Sequence, residues 1–441
     1  MPRSTRLLRS AALGAAVAAA LLCADACGSS SGATAQQTGG HIALTFWDDN
    51  AGPTSTPYYQ KLITEFEAAN PSITVQYTGI PSADVAQKYN TAIAGGVTPD
   101  VGRFSTSVMS TIVAQGALIP LDSPYAGSTI KGQISPAFLA TAKSAGGGGN
   151  LYMMPTSGNQ DVIWYRTDRF QAAGLSAPAT WSDLFADAAK LTDPGKDQYG
   201  WTIRGGSGSG FQILAEAYAY SGVTQMFDAN GNSTVDSPAN VAFIQMVAQQ
   251  YKKTTPEADV DNAYPAMVAQ FTGGEVDMVH HNLGTTGQVK KALGTKVAGM
   301  MLPVGPSGRH TILANPVSGF GIFKNSAHQA AAWQFIQFLD SHAADSYWNQ
   351  QVGQIPANTQ AYADAWYQSS GITKQAGDLL NSSSTTIVQP PVYLPQYSQI
   401  TKTLAEPDFQ KVLLGRMSAA DFAKTIADAL TTAEKQWKSK H

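Results

Sequence analysis

The sequence predicts an α/β protein of two lobes, with the chain crossing between them more than once. Three observations lead there. From residue 42 onward, short β-like apolar runs alternate with amphipathic helical stretches, the order that builds α/β lobes. In LYMMPTSGNQDVIWYRTDRF (151–170), two strand-like apolar runs flank a polar stretch, as where a chain leaves one lobe and starts another. The 441 residues are enough for two or more domains, each with its own core.

The elements follow in order. IALTFW (42–47) is the first strand. Residues 58–69 form a helix, with Tyr59, Leu62, Ile63 and Phe66 on one stripe and Asn70-Pro71 ending it. ITVQYTGI (73–80) is the second strand. A helix over 84–94 stops at Gly95-Gly96, and PDVGRF leads into a helix over 107–115. This β-α-β-α order predicts a mostly parallel sheet in lobe one. GGGG (146–149) is a surface loop. Past the crossing, Thr180 caps an amphipathic helix in APATWSDLFADAAKLT. YGWTIRG (199–205) reads as a strand, and FQILAEAYAYSG as a helix ending at Gly222. FDANGNSTVDS is a hairpin-like turn before a helix over 238–252. AYPAMVAQFTGGEVDMVHH is helix, turn and strand, and VAGMMLPVGP is a further strand. Residues 318–323 return as a short strand and 326–339 as a helix. The tail over 402–440 is helical, with breaks near Pro407 and Gly415.

The N-terminus sets the compartment. Arg3, Arg6 and Arg9 precede an apolar run from Ala11 to Leu22, and a small-residue segment ends at Cys27 before a GSSSG tether. This reads as an export signal over 1–26, with Cys27 as a lipidated residue and 27–40 as the anchored tether. Such a chain sits on the outer face of the cytoplasmic membrane, held to the bilayer by its acylated cysteine. Cys23 as the modified residue, plain cleavage near Ala26 and a short membrane anchor are the alternatives. Ala24 and Asp25 depart from the usual lipidation pattern. The apolar run falls short of the ~20 residues a span needs.

Composition narrows the partners. The formal net charge is −3, and no basic excess points to nucleic acid. The two cysteines are Cys23 and Cys27, so stability beyond the leader rests on packing. Eight Trp, 17 Tyr and 16 Phe leave rings beyond those a core needs, which suits a ligand with a stackable face. Searches for catalysis return little. The chain has no GxSxG elbow (GSSSG at 28–32 is the tether), no phosphate loop and no HExxH. Asp228 to Asn232 resembles the start of a calcium loop without its distal Glu, and reads as a turn. GGSGSGF (205–211) lacks dinucleotide spacing. Neither an enzyme, a cofactor nor a metal site is expected. Asp48 and Asp49, being adjacent, do not by themselves make a glycosidase pair.

Several segments together resemble the extracellular sugar-binding lipoproteins of bacterial ABC importers, of the maltose-binding type. They are LTFWDD, YYQKLITEFEAANPSITVQY, YNTAIAGGVTPDV, VAQGALIPLD, the run from LYMMPTSGNQ to PATWSDL, MVAQFTGGEVDM, and SGFGIFKNSAHQAAAWQFIQFL, in order over about 42–340. The leader also has an actinobacterial look. The resemblance implies a two-lobed periplasmic-binding-protein fold that closes over a ligand, with 41–155 plus 314–352 as lobe one and 156–313 plus 353–441 as lobe two. It implies no chemistry in this chain. It implies capture of a mono- or oligosaccharide and delivery to the membrane permease subunits of an ABC transporter. A peptide- or polyamine-binding protein, and a glycoside hydrolase, are the alternatives.

A sugar needs partners for its hydroxyls and a ring for its apolar face. The resemblance puts Trp47, Asp48 and Asp49, with Asn50, at a ligand edge, and turns Arg103 toward the cleft. Asn159, Gln160 and Asp161 sit at the first crossing. Trp164 and Trp201 serve either as plates or as core. Asn282 follows the VDMVHH strand, and Gly319 and Phe320 let a ligand approach the backbone. Trp348, with Gln354 after it, lies where this family often supplies a plate. Glu216 reads as solvent-facing, and Trp181, Trp333 and Phe335 as core.

Overall fold

The computed structural model describes residues 40–440 apart from 50, 53, 54, 82 and 83. The expected leader, Cys27 and all but the last residue of the tether lie outside the described residues, as does Asn50. In chain order the strands are β1 (Ile42–Asp48), β2 (Ile73–Gly79), β3 (Val101–Ser105), β4 (Met154–Gly158), β5 (Asp161–Arg166), β6 (Met278–Asn282), β7 (Val297–Met301), β8 (His310–Leu313), β9 (Ser318–Ile322), β10 (Ile355–Pro356) and β11 (Thr385–Val388).

They form a six-stranded sheet ordered β10-β4-β9-β3-β1-β2, a three-stranded sheet β6-β5-β7 and a pair β11-β8. The chain passes from the first sheet to the second at 159–160, returns at 314–317, and leaves again after β10. This is the two-lobed α/β fold with a repeatedly crossed hinge.

The large sheet is mixed, where a mostly parallel one was expected. β2, β1 and β3 are parallel, but β9 pairs antiparallel with both β3 and β4, and β10 with β4. The reason is connectivity. β9 arrives from the other sheet and not through a local crossover helix, so nothing forces it parallel. β4 lies whole in this sheet, across the 155/156 division drawn from sequence, and β10 adds Ile355–Pro356 beyond 352.

Helices cover the sheets by the stripes their sequences carry. Thr56–Ala69 buries Tyr59, Leu62, Ile63 and Phe66. Its rings meet Phe46, Phe320 and Phe335 from β1, β9 and the helix Gln329–Leu339. Thr180 caps Trp181–Leu191 through a capping box. The Asp183 N–H donates to the Thr180 hydroxyl at 3.1 Å, and the Thr180 N–H to the Asp183 carboxylate at 3.2 Å. A second core gathers Trp181, Trp201, Ile213, Leu214, Tyr218 and Phe243 with Phe422, Ile426 and Leu430 of the C-terminal helix Ala419–Lys438.

Three local expectations need correction. YGWTIRG is extended but is no ladder strand. Its amides donate to different acceptors: Tyr199 to the Glu275 carbonyl, Trp201 to the Thr254 carbonyl, and Ile203 to the Asp259 carboxylate. The helix after Ser237 ends at Ala248, and Lys252 turns the chain with φ +61°. Pro407 does not break the tail. It sits in the first turn of Ala405–Leu413, where a missing N–H costs little, and a π-helical turn over Gln399–Leu404 runs directly into that helix.

Candidate functional site

In the first sheet β1, β2 and β3 end together, and the polar residues collect at that carboxyl edge, where open α/β sheets place ligands. Asp48 and Arg103 lie on one face, with Asp49 just past the end of β1. The Arg103 Nη1 pairs with the Asp49 carboxylate and lies 3.7 Å from that of Asp48. The Tyr77 hydroxyl donates to Asp48 at 2.8 Å. Behind the guanidinium, Tyr59 and Trp348 stack at 3.9 Å, with the Arg103 charge 5.5 Å from the Trp348 ring. Burial raises the Asp49 pKa, and Arg103 pulls it back. Burial also works against the Arg103 charge, but the carboxylates of Asp49 and Asp48 outweigh it and hold the guanidinium charged.

The second sheet has its own polar edge at the crossing. Asp161 opens β5 opposite Asn282, the last residue of β6. Asn315, on the returning segment, donates to Asp161 at 2.9 Å and so ties two crossings together. His280 lies between carboxylates. Its Nδ1 meets Glu216 and its Nε2 faces Asp161 at 3.4 Å. Burial opposes charge on His280, but the hydrogen-bonding carboxylates Asp161 and Glu216 prevail and raise its pKa to about 9. His281, its neighbour on the strand, goes the other way. Burial, then the charges of Arg204 and His280, push it down to about 4. Asn159 lies near Gly284 and Asn282 on the same edge.

The residues expected from sequence thus divide. Asp48, Asp49 and Arg103 come together on one sheet, and Asn159, Asp161 and Asn282 on the other. Trp47 points to the opposite face of β1 from Asp48, onto Tyr89 at 5.7 Å and under Lys88 at 4.8 Å. Three expected plates are packed in the interior. Trp164 is 1 % exposed and donates to the Thr285 hydroxyl at 2.9 Å. Trp201 is 1 % and Trp348 2 % exposed. Gly319 is small for a reason inside the sheet: a Cβ there would meet the Met154 carbonyl oxygen at 2.0 Å. Phe320 is buried in the same core, and Gln354 precedes β10.

Glu216 is a correction. It is buried at 4 % exposure against His280, with Gln212 donating to it at 3.3 Å. A lone acid in the otherwise apolar run FQILAEAYAYS was the available signal. Nothing local marked Asn315 or Tyr77.

Comparison with known proteins came out consistently. Residues 52–346 match the family model "Bacterial extracellular solute-binding protein". A mannitol-binding protein of Pseudomonas aeruginosa is 24 % identical over 410 residues, 85 % of this chain and 89 % of that protein. Among solved structures, the GacH receptor of Streptomyces glaucescens, studied unliganded and with acarbose, superposes with a TM-score of 0.74 at 20 % identity, covering 89 % of this chain and 98 % of that one. The sugar-binding protein MalE of Xanthomonas citri gives 0.76 at 20 % identity, covering 91 % and 100 %. The described residues contain no helix long and apolar enough to cross a membrane.

Proposed function

The chain belongs to the bacterial extracellular solute-binding proteins, a non-catalytic family, and from that premise we propose that it captures a carbohydrate outside the cell and hands it to the permease of an ABC importer. The observation that carries the reading is the pair of polar edges at the hinge. Asp48, Asp49 and Arg103 gather at the end of one sheet, and Asn159, Asp161 and Asn282 at the crossing edge of the other; in this reading the two sets face one cleft. In this reading the first lobe holds β1–β4, β9 and β10, and the second β5–β8, β11 and the C-terminal helices.

Closure about the crossings brings the two edges onto one ligand. Carboxylates and amides there accept and donate to hydroxyls, and desolvation on closing makes each missing partner costly. That the Pseudomonas relative binds mannitol, and the Streptomyces receptor acarbose, supports a polyhydroxylated ligand. A polyamine site is disfavoured, because Arg103 and His280 already occupy the carboxylates that would attract one. The lipid anchor at Cys27 belongs to this proposal. It predicts a palmitate-labelled, membrane-bound protein that becomes unlabelled in Cys27→Ala.

A thermal-shift screen with cyclic sugars, polyols, peptides and polyamines tests the ligand. At a hundredfold excess over Kd a ligand of the folded state adds about 2.7 kcal/mol of stability, a rise of several degrees. A rise with a carbohydrate is expected. A rise confined to peptides or polyamines would remove the carbohydrate reading and leave solute capture.

A further inference from the structure

We infer that Glu406 is a built-in anion at the start of the helix Ser209–Ser221, and that it keeps phosphorylated and other anionic sugars away from the second lobe, so that neutral carbohydrates are selected. This rests on the carbohydrate reading above and narrows it.

The glycine-rich run over 205–211 leads into a helix of 13 residues. A helix start carries positive partial charge and unpaired amides, which suits an anion. Three further donors gather at this one. Among the described residues, the Gly210 and Phe211 amides have no acceptor. Ser209 is fully buried, and its hydroxyl has no partner either. The Arg204 guanidinium lies on Gly208, where a Cβ would come within 2.1 Å of it, and Gly208 takes φ +89°. Glycine alone meets both demands. Amides, a hydroxyl and a guanidinium together form a receptor for a phosphate or a carboxylate.

The protein supplies the carboxylate itself. Glu406, in the first turn of Ala405–Leu413, accepts from the Gly208 N–H at 2.5 Å. Gly208 has no side chain to cap the helix, and Glu406 reaches it from 198 residues further on. The segment that carries Glu406 is fixed on both sides. A Cβ on Gly210 would lie 2.0 Å from the Thr401 carbonyl oxygen, and Gln410 donates to the Gly205 carbonyl at 3.2 Å. Burial works against the Arg204 charge, and Glu406, ahead of Asp161, sustains it.

This helix start borders the crossing edge of the second sheet. The Arg204 guanidinium is 5.8 Å from the Tyr264 ring, which stacks at 4.6 Å on His281 of β6, the residue before Asn282. A ligand held by Asn282 and Asp161 therefore meets an arginine whose charge is already answered. A phosphate there must displace Glu406 or lie against it, and like charges at such range repel. A sugar hydroxyl is free of that repulsion.

Calorimetry with inorganic phosphate and with sn-glycerol 3-phosphate, on the purified parent and on Glu406→Gln and Glu406→Ala, tests this. Both anions are expected to bind Glu406→Ala at least about tenfold more tightly than the parent, as a helix start acting with a guanidinium on a partly buried anion would give. Glu406→Gln keeps an acceptor for Gly208 and loses the charge, so a smaller gain in the same direction is expected. Melting temperatures show that each variant folds, and Glu406→Gln carries the test where the Ala variant does not. Adding Arg204→Met to either variant should abolish the gain. Folded variants that bind phosphate no better than the parent would overturn the gate and leave Glu406 a helix cap. A gain that survives Arg204→Met would overturn it too, since the anion would then sit elsewhere. These readouts use anions alone. A parent that responds to no carbohydrate would remove the carbohydrate reading, while the gain in the Glu406 variants would still stand for the anion site.

Discussion

Arg103→Met is expected to lower folding stability by about 3–5 kcal/mol, because it strands buried carboxylates. The Arg103 side chain is 3 % exposed, that of Asp48 fully buried and that of Asp49 11 % exposed. Arg103 is the cation both carboxylates face, and it covers the Tyr59–Trp348 stack. Removing it leaves the Asp49 carboxylate buried beside that of Asp48, with burial already raising its pKa. The loss should shrink when Asp49→Asn is added, since the neutral amide no longer needs a countercharge. Urea unfolding of the parent, the single and the double variant measures it. A single variant that unfolds within about 1 kcal/mol of the parent would show that the cluster carries little stability, and would leave Arg103 free to act on a ligand alone.

The second large effect is on pH. His280 has a pKa of about 9 in the folded protein, against about 6.5 unfolded. A raised histidine pKa adds stability that is fully present below about pH 6.5 and is lost as pH rises through about 9. The displacement corresponds to roughly 3 kcal/mol. The groups facing the ring are Asp161 on β5 and Glu216 on the helix Ser209–Ser221, with His281 and Arg204 beyond. Melting temperature should therefore fall between pH 7 and 9.5, and His280→Gln should flatten that limb. His281 contributes with the opposite sign. Its pKa of about 4 costs stability as pH falls from about 6.5 through 4. Histidine NMR separates the two rings, and a His280 that titrates near 6.5 in the folded protein would sink the account.

Much of the fold was legible because it depends on near neighbours. The stripe Tyr59–Leu62–Ile63–Phe66, the Thr180–Asp183 box and the Gly222 cap, with φ +70°, are set within a turn or two of chain. The same holds for the polar crossing at 159–160. Where a segment's partners lie far off, the pattern alone misled. YGWTIRG has a strand's composition, yet its amides find acceptors on two distant segments, around Glu275 and over Thr254–Asp259. Glu216 looks exposed on a helical wheel and is buried because His280, 64 residues on, meets it.

The sequence by itself determined the α/β alternation, the crossed hinge, the polar residues at strand ends and, through the resemblance, the family. Tertiary structure decided which of these side chains are packed in the core. Trp164, Trp201 and Trp348 carry the same ring chemistry as a sugar plate, and one buried ring in the sequence looks like any exposed one. Only packing from distant segments, Thr285 on Trp164 and Tyr59 on Trp348, removes them from solvent.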